Sequence, residues 1–203
     1  MDQDAISRQR IVELLNNWVV WRDAGDWTRF RSCWHADGQM FATWCQAPAE
    51  EFARQTEAAW DRGITILHFL GGISVDVAGR RAVSQTKMTI NQRAPVGGVP
   101  VDVVCTGRFY DLLEERDGKW GIVLRQPIYE KDRLDPVVPG TPVPLEQDLL
   151  ERFPAEYRHL AYVQTKAGFT VKTDMPLLRG EKVQRLYACG AAWLKGGDHG
   201  WTG

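Results

Sequence analysis

The chain has 203 residues, 25 basic and 26 acidic side chains, a net charge of −1 and 44% hydrophobic residues, enough apolar material for one domain with a real core. No basic stripe stands ready to neutralise phosphates, so nucleic acid and anionic membrane surfaces are not expected partners, and no apolar run approaches the roughly 20 residues of a membrane span. Cys33, Cys45, Cys105 and Cys189 form no CxxC pair and no metal-ligand spacing; with a polar, acidic start that lacks a signal-like apolar core, they lead us to expect a cytoplasmic protein with reduced thiols.

From Asp4 to about Ala24, apolar residues recur at threes and fours (Ile6, Ile11, Leu14, Leu15, Trp18, Val19, Trp21), the spacing of an amphipathic helix. Gly25 suits its C-terminal cap, and Asp26 caps a second helix over Trp27–Trp34. Asp23 then falls in the last turn of the first helix, where a negative charge opposes the helix dipole. Gln39–Trp44 reads as a short strand. A third helix runs from Pro48 to Trp60, with Glu50 and Glu51 in its favourable first turn.

Four long strands follow: Ile64–Val77, Ala82–Arg93, Val101–Glu114 and Lys119–Glu130. Their links are Ala78-Gly79-Arg80, Pro95-Val96-Gly97-Gly98 and Asp117-Gly118, all hairpin-like. Sequential hairpins make an antiparallel meander, and three helices before it give an α+β layer fold. Ile64–Leu70 and Val99–Cys105 are apolar on both parities, so both faces of the sheet need cover. Helices supply one cover and a second copy of the chain would supply the other, so a homo-oligomer, a dimer or trimer, is expected.

Beyond Asp135, the run Pro136–Pro144 holds four prolines among nine residues and cannot enter a sheet interior. It divides residues 1–135 from a mostly helical extension, 136–203. Helical segments are expected around Leu145–Phe153, Pro154–Gln164 and Arg179–Leu194, with Leu178, Val183, Leu186, Tyr187 and Trp193 facing inward. The extension should pack on the main body or on a neighbouring subunit. A lid over a pocket mouth is one role open to it, and in that role deletion after Asp135 weakens ligand binding more than folding.

His68 sits between Leu67 and Phe69 in the first long strand. A buried imidazole needs partners for its ring nitrogens, and Asp23 is the partner we expect. The rival readings are a satisfied core histidine and a solvated acid at a helix end. Nine tryptophans suit a core and also an apolar ligand pocket; Trp18 and Trp44 are the candidate walls. Arg108, Tyr110, Arg125 and Tyr129, on the last two long strands, are candidates to polarise a substrate oxygen. Surface ion pairs with Asp111, Glu114 or Glu130 explain the arginines equally well.

Three stretches carry a resemblance: Trp21-Arg22-Asp23-Ala24-Gly25-Asp26-Trp27, then His68-Phe69-Leu70-Gly71-Gly72, then Gly107-Arg108-Phe109-Tyr110 with Arg116-Asp117-Gly118-Lys119-Trp120. Over about Asp4 to Asp135 the chain resembles the SnoaL-like branch of the NTF2-like superfamily. The resemblance implies an α+β cone, three N-terminal helices on a curved antiparallel sheet, here with a C-terminal helical extension. That branch includes scytalone dehydratase, the hexachlorocyclohexane dehydrochlorinase and bile-acid 7α-dehydratase. It therefore implies a lyase or isomerase, without metal or organic cofactor, acting on an apolar aromatic, polyketide or steroid-like small molecule through Asp23 and His68.

In such a dyad Asp23 holds the Nδ1–H of His68, fixes its tautomer and raises its pKa, and the other ring nitrogen faces the cavity. The superfamily also contains non-catalytic ligand-binding and scaffold proteins, and the small subunits of aromatic-ring dioxygenases, so the fold does not choose a function. One departure is Gly72, where relatives often carry Asn four residues after the histidine; it implies different handling of the substrate.

Overall fold

A computed structural model describes residues 2–203. Helix α1 (Gln3–Asp23) begins where the Asp2 carboxylate accepts the Asp4 N–H at 3.1 Å, and it ends before Gly25, whose φ of +74° only glycine adopts freely. Its buried stripe is Ile11, Leu15, Trp18 and Val19. Helix α2 (Trp27–Arg31) is capped by Asp26, which accepts the Arg29 N–H at 3.2 Å. It is shorter than expected, because the chain turns at Cys33 and Trp34 already opens strand β1 (Trp34–Phe41). Strand β2 (Gln46–Pro48) pairs antiparallel with β1, and helix α3 (Ala49–Asp61) buries Phe52, Ala53 and Thr56.

The long strands are β3 (Ile66–Ala78), β4 (Arg81–Val96), β5 (Val99–Arg116) and β6 (Lys119–Pro136), in a six-stranded sheet of order β2-β1-β6-β5-β4-β3. Two of the hairpins turn on paired residues with positive φ, Gly97-Gly98 (55° and 83°) and Asp117-Gly118 (51° and 75°), as two-residue turns matched to strand twist require. One pair departs from the meander: β1 runs parallel to β6. It starts beside the β5–β6 turn, with Trp34 opposite Ile122, and so travels in the same direction as β6. Its register slips between Trp34 and Gln39, at a bulge where a Cβ on Gly38 would meet the His35 carbonyl oxygen at 2.9 Å.

The concave face of the sheet, with Met88, Val103, Phe109 and Ile122, packs on Leu15 and Trp18 of α1, Phe30 of α2 and Phe52 of α3 as the main core. The convex face carries Tyr110, Leu112, Leu124 and Ile128, which are covered by Val183, Leu186 and Trp193 of helix α6 (Glu181–Leu194). Part of the second cover therefore comes from the chain itself. Leu178 is exposed rather than inward-facing, since it lies ahead of α6 in an irregular stretch, and Tyr187 is half-buried.

Short helices α4 (Gln147–Leu150) and α5 (Arg158–Lys166) add to the core on the concave side. Pro154 stands between them, where it cannot continue a helix. Leu150, Phe153, Tyr157, Leu160 and Tyr162 all belong to the main core. Removing everything after Asp135 would take these side chains out of the main core, so truncation is expected to harm folding as well as binding. Among the described residues no helix is long and apolar enough to cross a membrane.

Candidate active site

The last turn of α1 is set against the free edge of β3, which pairs only with β4. An edge strand presents unpaired backbone N–H groups, and the Asp23 carboxylate uses one: Oδ2 accepts the His68 backbone N–H, and Oδ1 meets His68 Nδ1 at 2.9 Å. Arg22 donates through Nη1 to Asp23 Oδ1 (3.1 Å) and to the Ile66 carbonyl (2.9 Å). A carboxylate that would be unfavourable at an isolated helix C-terminus is thus satisfied by a strand N–H, an imidazole and a guanidinium. The His68 ring lies edge-on to Trp18, with centroids 5.7 Å apart, and tilted against Phe109 at 6.1 Å. Among the described residues its Nε2 has no hydrogen-bond partner. The ring lines an interior cavity of about 30 Å³ together with Trp18, Trp44, Phe52, Phe109 and Tyr129.

Burial pushes the Asp23 carboxyl up, but the His68 hydrogen bond and the charges of His68 and Arg22 outweigh it and hold the group below the usual carboxylate range. For His68 the balance is the reverse of expectation. Burial, then the Arg22 charge beside it, lower its pKa more than the Asp23 hydrogen bond raises it. The expected upward shift is corrected to a downward one, which favours the neutral ring; a neutral ring that donates from Nδ1 to Asp23 carries its lone pair on Nε2. Such a group is poised to accept a proton, not to give one.

Of the other candidates, Trp18, Trp44 and Tyr129 line the same cavity as His68. Arg125 sits one layer behind the wall, stacked 4.1 Å over the Trp18 ring and 4.3 Å over Phe109. It is not in a surface ion pair: both it and Asp111 are buried, joined by two bonds of 2.7 and 2.9 Å, with Ser84 Oγ donating to Asp111 at 3.3 Å. Arg108 and Tyr110 are not with the site. They lie on the convex face under α6, Arg108 bonded to Glu130 (2.8 Å) and Tyr187 (2.9 Å), Tyr110 against the Tyr187 ring at 5.4 Å. The alternation along β5 is unbroken, with Val103, Cys105, Phe109 and Leu113 in the main core and Tyr110 and Leu112 against α6, so parity alone sets Arg108 and Tyr110 on the face opposite Phe109; the register slips against β6 come from extra residues on β6, at Val123 and Glu130. Gly72 is exposed in β3, past another irregularity between Leu70 and Ile73, and does not line the cavity.

Sequence reasoning missed Arg22, Gln92, Phe109 and Gln164. Arg22 is the neighbour of Asp23, and Gln92 shares its strand face with Ile90, so both were within reach of a parity argument. Gln164 was not, because it arrives from α5 to accept a bond from Thr43 Oγ1 at 2.7 Å. A second carboxylate–imidazole pair was also missed. Asp132 accepts from the His159 N–H (2.7 Å) and the Leu160 N–H (2.8 Å), and its Oδ1 meets His159 Nδ1 at 2.8 Å, which pins the start of α5 to β6.

The sequence profile described as the SnoaL-like domain matches residues 3–126. Pea pathogenicity protein 2 of Fusarium vanettenii is 36% identical over 206 residues, covering 96% of this chain and 88% of that protein. A crystal structure from Novosphingobium aromaticivorans, provisionally identified as a scytalone dehydratase, superposes with a TM-score of 0.57 at 14% identity, over 71% of this chain and 97% of that one. The hexachlorocyclohexane dehydrochlorinase LinA-type3 of Novosphingobium barchaimii gives 0.59 at 15% identity, over 68% and 97%. At those identities the two structures speak for the fold, the NTF2-like cone with its curved sheet. The profile match over most of the chain, and the 36% identity over nearly all of it, show that the chain belongs to the SnoaL-like domain family.

Proposed function

We propose that the protein is a lyase or isomerase that uses Asp23 and His68 as an acid–base pair on an apolar small molecule, with no cofactor needed for the proton transfer. The observation that carries this reading is an imidazole whose Nδ1 is anchored 2.9 Å from a half-buried carboxylate and whose ring lines an aromatic cavity. In the elimination, His68 Nε2 takes a proton from the carbon next to the leaving group. The C–H electron pair becomes the new double bond, and the leaving group departs with its own pair. A departing hydroxide receives the proton back from His68 and leaves as water, restoring the base; a halide leaves the proton to solvent. General-base help of this kind is worth roughly 10²- to 10⁴-fold. Trp18, Trp44 and Tyr129 serve as walls, and Arg125 stiffens two of the cavity rings from behind. We further propose that the protein works as a homo-oligomer in a reducing compartment such as the cytoplasm, in keeping with its four free cysteines.

A second reading, a non-catalytic ligand-binding or scaffold protein, is favoured by one observation: the cavity as it stands, at about 30 Å³, holds one or two waters and no ring compound. A panel of β-hydroxy ketones and halogenated cycloalkanes, followed by product formation, separates the two. The enzyme reading expects turnover of at least one class, reduced 100-fold or more in His68→Asn with unchanged circular dichroism. Full turnover in His68→Asn sinks it, and no turnover by the wild type across the panel favours the binding protein.

A further inference from the structure

Helix α1 carries more apolar surface than the core takes. Its buried stripe is Ile11, Leu15, Trp18 and Val19. Leu14 and Trp21, a heptad apart, stand beside that stripe and are packed against the core only in part. They line a cleft of about 350 Å³ between α1 and the β5–β6 turn, open to solvent. Lys119, Trp120 and Cys33 line it too, and the last two, at 4% and 2% exposed, form its floor. Small-molecule sites are concave, mostly apolar and roughly 300–1,000 Å³ in volume, and a cavity of about 150 Å³ already holds benzene. This cleft therefore has room for a fused pair of aromatic rings, whereas the cavity at His68, at about 30 Å³, has none as it stands.

The charges around the cleft set the kind of ligand. Lys119 is exposed and, among the described residues, has no ion pair and no side-chain hydrogen bond. Its charge is felt at the floor: burial pushes the Cys33 thiol up to about 12, and the charges of Arg125 and Lys119 pull against that push. Such a thiol is an inert wall. Arg10 also lines the cleft. Its contact with Glu115 is long, at 4.0 Å, and its side chain is 55% exposed, so the guanidinium is left able to take a second acceptor. Against these two cations the lining sets one acid, Glu13. A cationic ligand would find Trp21 already facing the Arg29 guanidinium, 5.4 Å from its ring centroid.

We infer that this cleft is a second binding site, for a flat aromatic carboxylate. The rings lie along Leu14, Trp21 and Trp120, and the carboxylate meets Lys119, with Arg10 as its second cation. The cleft shares no lining residue with the cavity at His68, so the site stands whether or not the acid–base reading does.

Matched probes test it: 2-naphthoate and 2-naphthamide, the same ring pair with and without the charge. Each is titrated against the full chain and followed by NMR on the tryptophan indole N–H signals, assigned through single substitutions such as Trp21→Phe. Naphthoate should shift the Trp21 and Trp120 signals first. It should bind about fivefold or more tightly than the amide at low salt, and the preference should shrink as salt is added, because both cations are exposed. Lys119→Met should cut that preference to about twofold or less and leave the affinity for the amide unchanged. Lys119 is exposed beside a hairpin turn, so the variant keeps the fold; Arg10→Met, on the open side of α1, should lower the preference in the same direction. His68→Asn should bind both probes as the wild type does. Equal affinity for the two probes, no shift at millimolar probe, shifts led by Trp18 and Trp44, or an unchanged preference in Lys119→Met overturns the proposal.

Discussion

At the scale of residues, the Asp23–His68 pair makes a prediction about pH whose sign follows from the direction of the shifts. Both groups have folded pKa values below their ordinary ones, 3.8 for the carboxyl and 6.5 for the imidazole. As pH falls through the ordinary histidine value, the unfolded chain takes up a proton that folded His68 refuses, so the folded state loses stability on acidification. Asp23 adds a loss of the same sign at lower pH. The slope from a single group cannot exceed about 1.4 kcal/mol per pH unit. Urea unfolding at pH 7.5 and 5.5 should show a larger drop for the wild type than for His68→Asn, and activity should fade only below the ordinary histidine range. An equal drop in both proteins would mean that His68 is charged in the folded state. The pair itself was legible in the sequence, because a helix-end acid and a strand-buried histidine each lacked a partner. The direction of the histidine shift was not. It depends first on how deeply the ring is buried and then on the Arg22 charge beside it, and a chain position reveals neither. Arg108 and Tyr110, by contrast, could be placed from the sequence, since the even-numbered residues of β5 face away from Phe109 along the strand.

At the scale of elements, the helices and the four long strands were readable from period and turn chemistry, whereas β1 and β2 were blurred. β1 is bulged, and its neighbour in the sheet is β6, far away in sequence and parallel; local pattern carries no trace of such a partner. The tail was harder still. Two of its three helices, α4 and α5, are short, and their stability comes from what they dock on. The clasp for α5 is Asp132, a fully buried carboxylate on β6 that takes two backbone N–H groups and the His159 ring. Asp132→Ala leaves those helix-start donors without their acceptor and should cost about 2 kcal/mol or more. Hydrogen exchange is the discriminating measurement, because amides of 158–166 should lose protection ahead of the sheet. A uniform loss across the chain would mean that α5 and the cone unfold as one unit. Since Gln164 of α5 lines the cavity at His68 and Phe169 packs tilted against Trp44 at 4.9 Å, loosening this clasp should also speed ligand entry, measurable as a faster quench of tryptophan fluorescence.

At the scale of the whole molecule, the curved sheet has two faces and its own helices finish only part of the second. α6 covers the convex side over Tyr110, Leu112, Leu124 and Ile128, and the covering stops short of β3. There Leu67 and Phe69, on the opposite face of the strand from His68, are 50% and 62% exposed, which is unusual for large apolar side chains side by side on an edge strand. The apolar double parity of Ile64–Leu70 made this visible from the sequence; that α6 would take the rest of the surface was not visible, because nothing in its pattern names a partner. If the patch is the contact between copies, sedimentation equilibrium should give a dimer or trimer for the wild type. Phe69→Lys should give a monomer at the same loading, with unaltered circular dichroism. A wild type that is monomeric at tens of micromolar would refute the oligomer. The same variant also bears on mechanism, because the patch is the back of the strand that carries the base. Turnover that falls with dissociation would mean that a neighbouring copy braces β3 so that His68 stays against Asp23; turnover that persists in the monomer would mean that α1, through Arg22 and Asp23, holds the strand unaided.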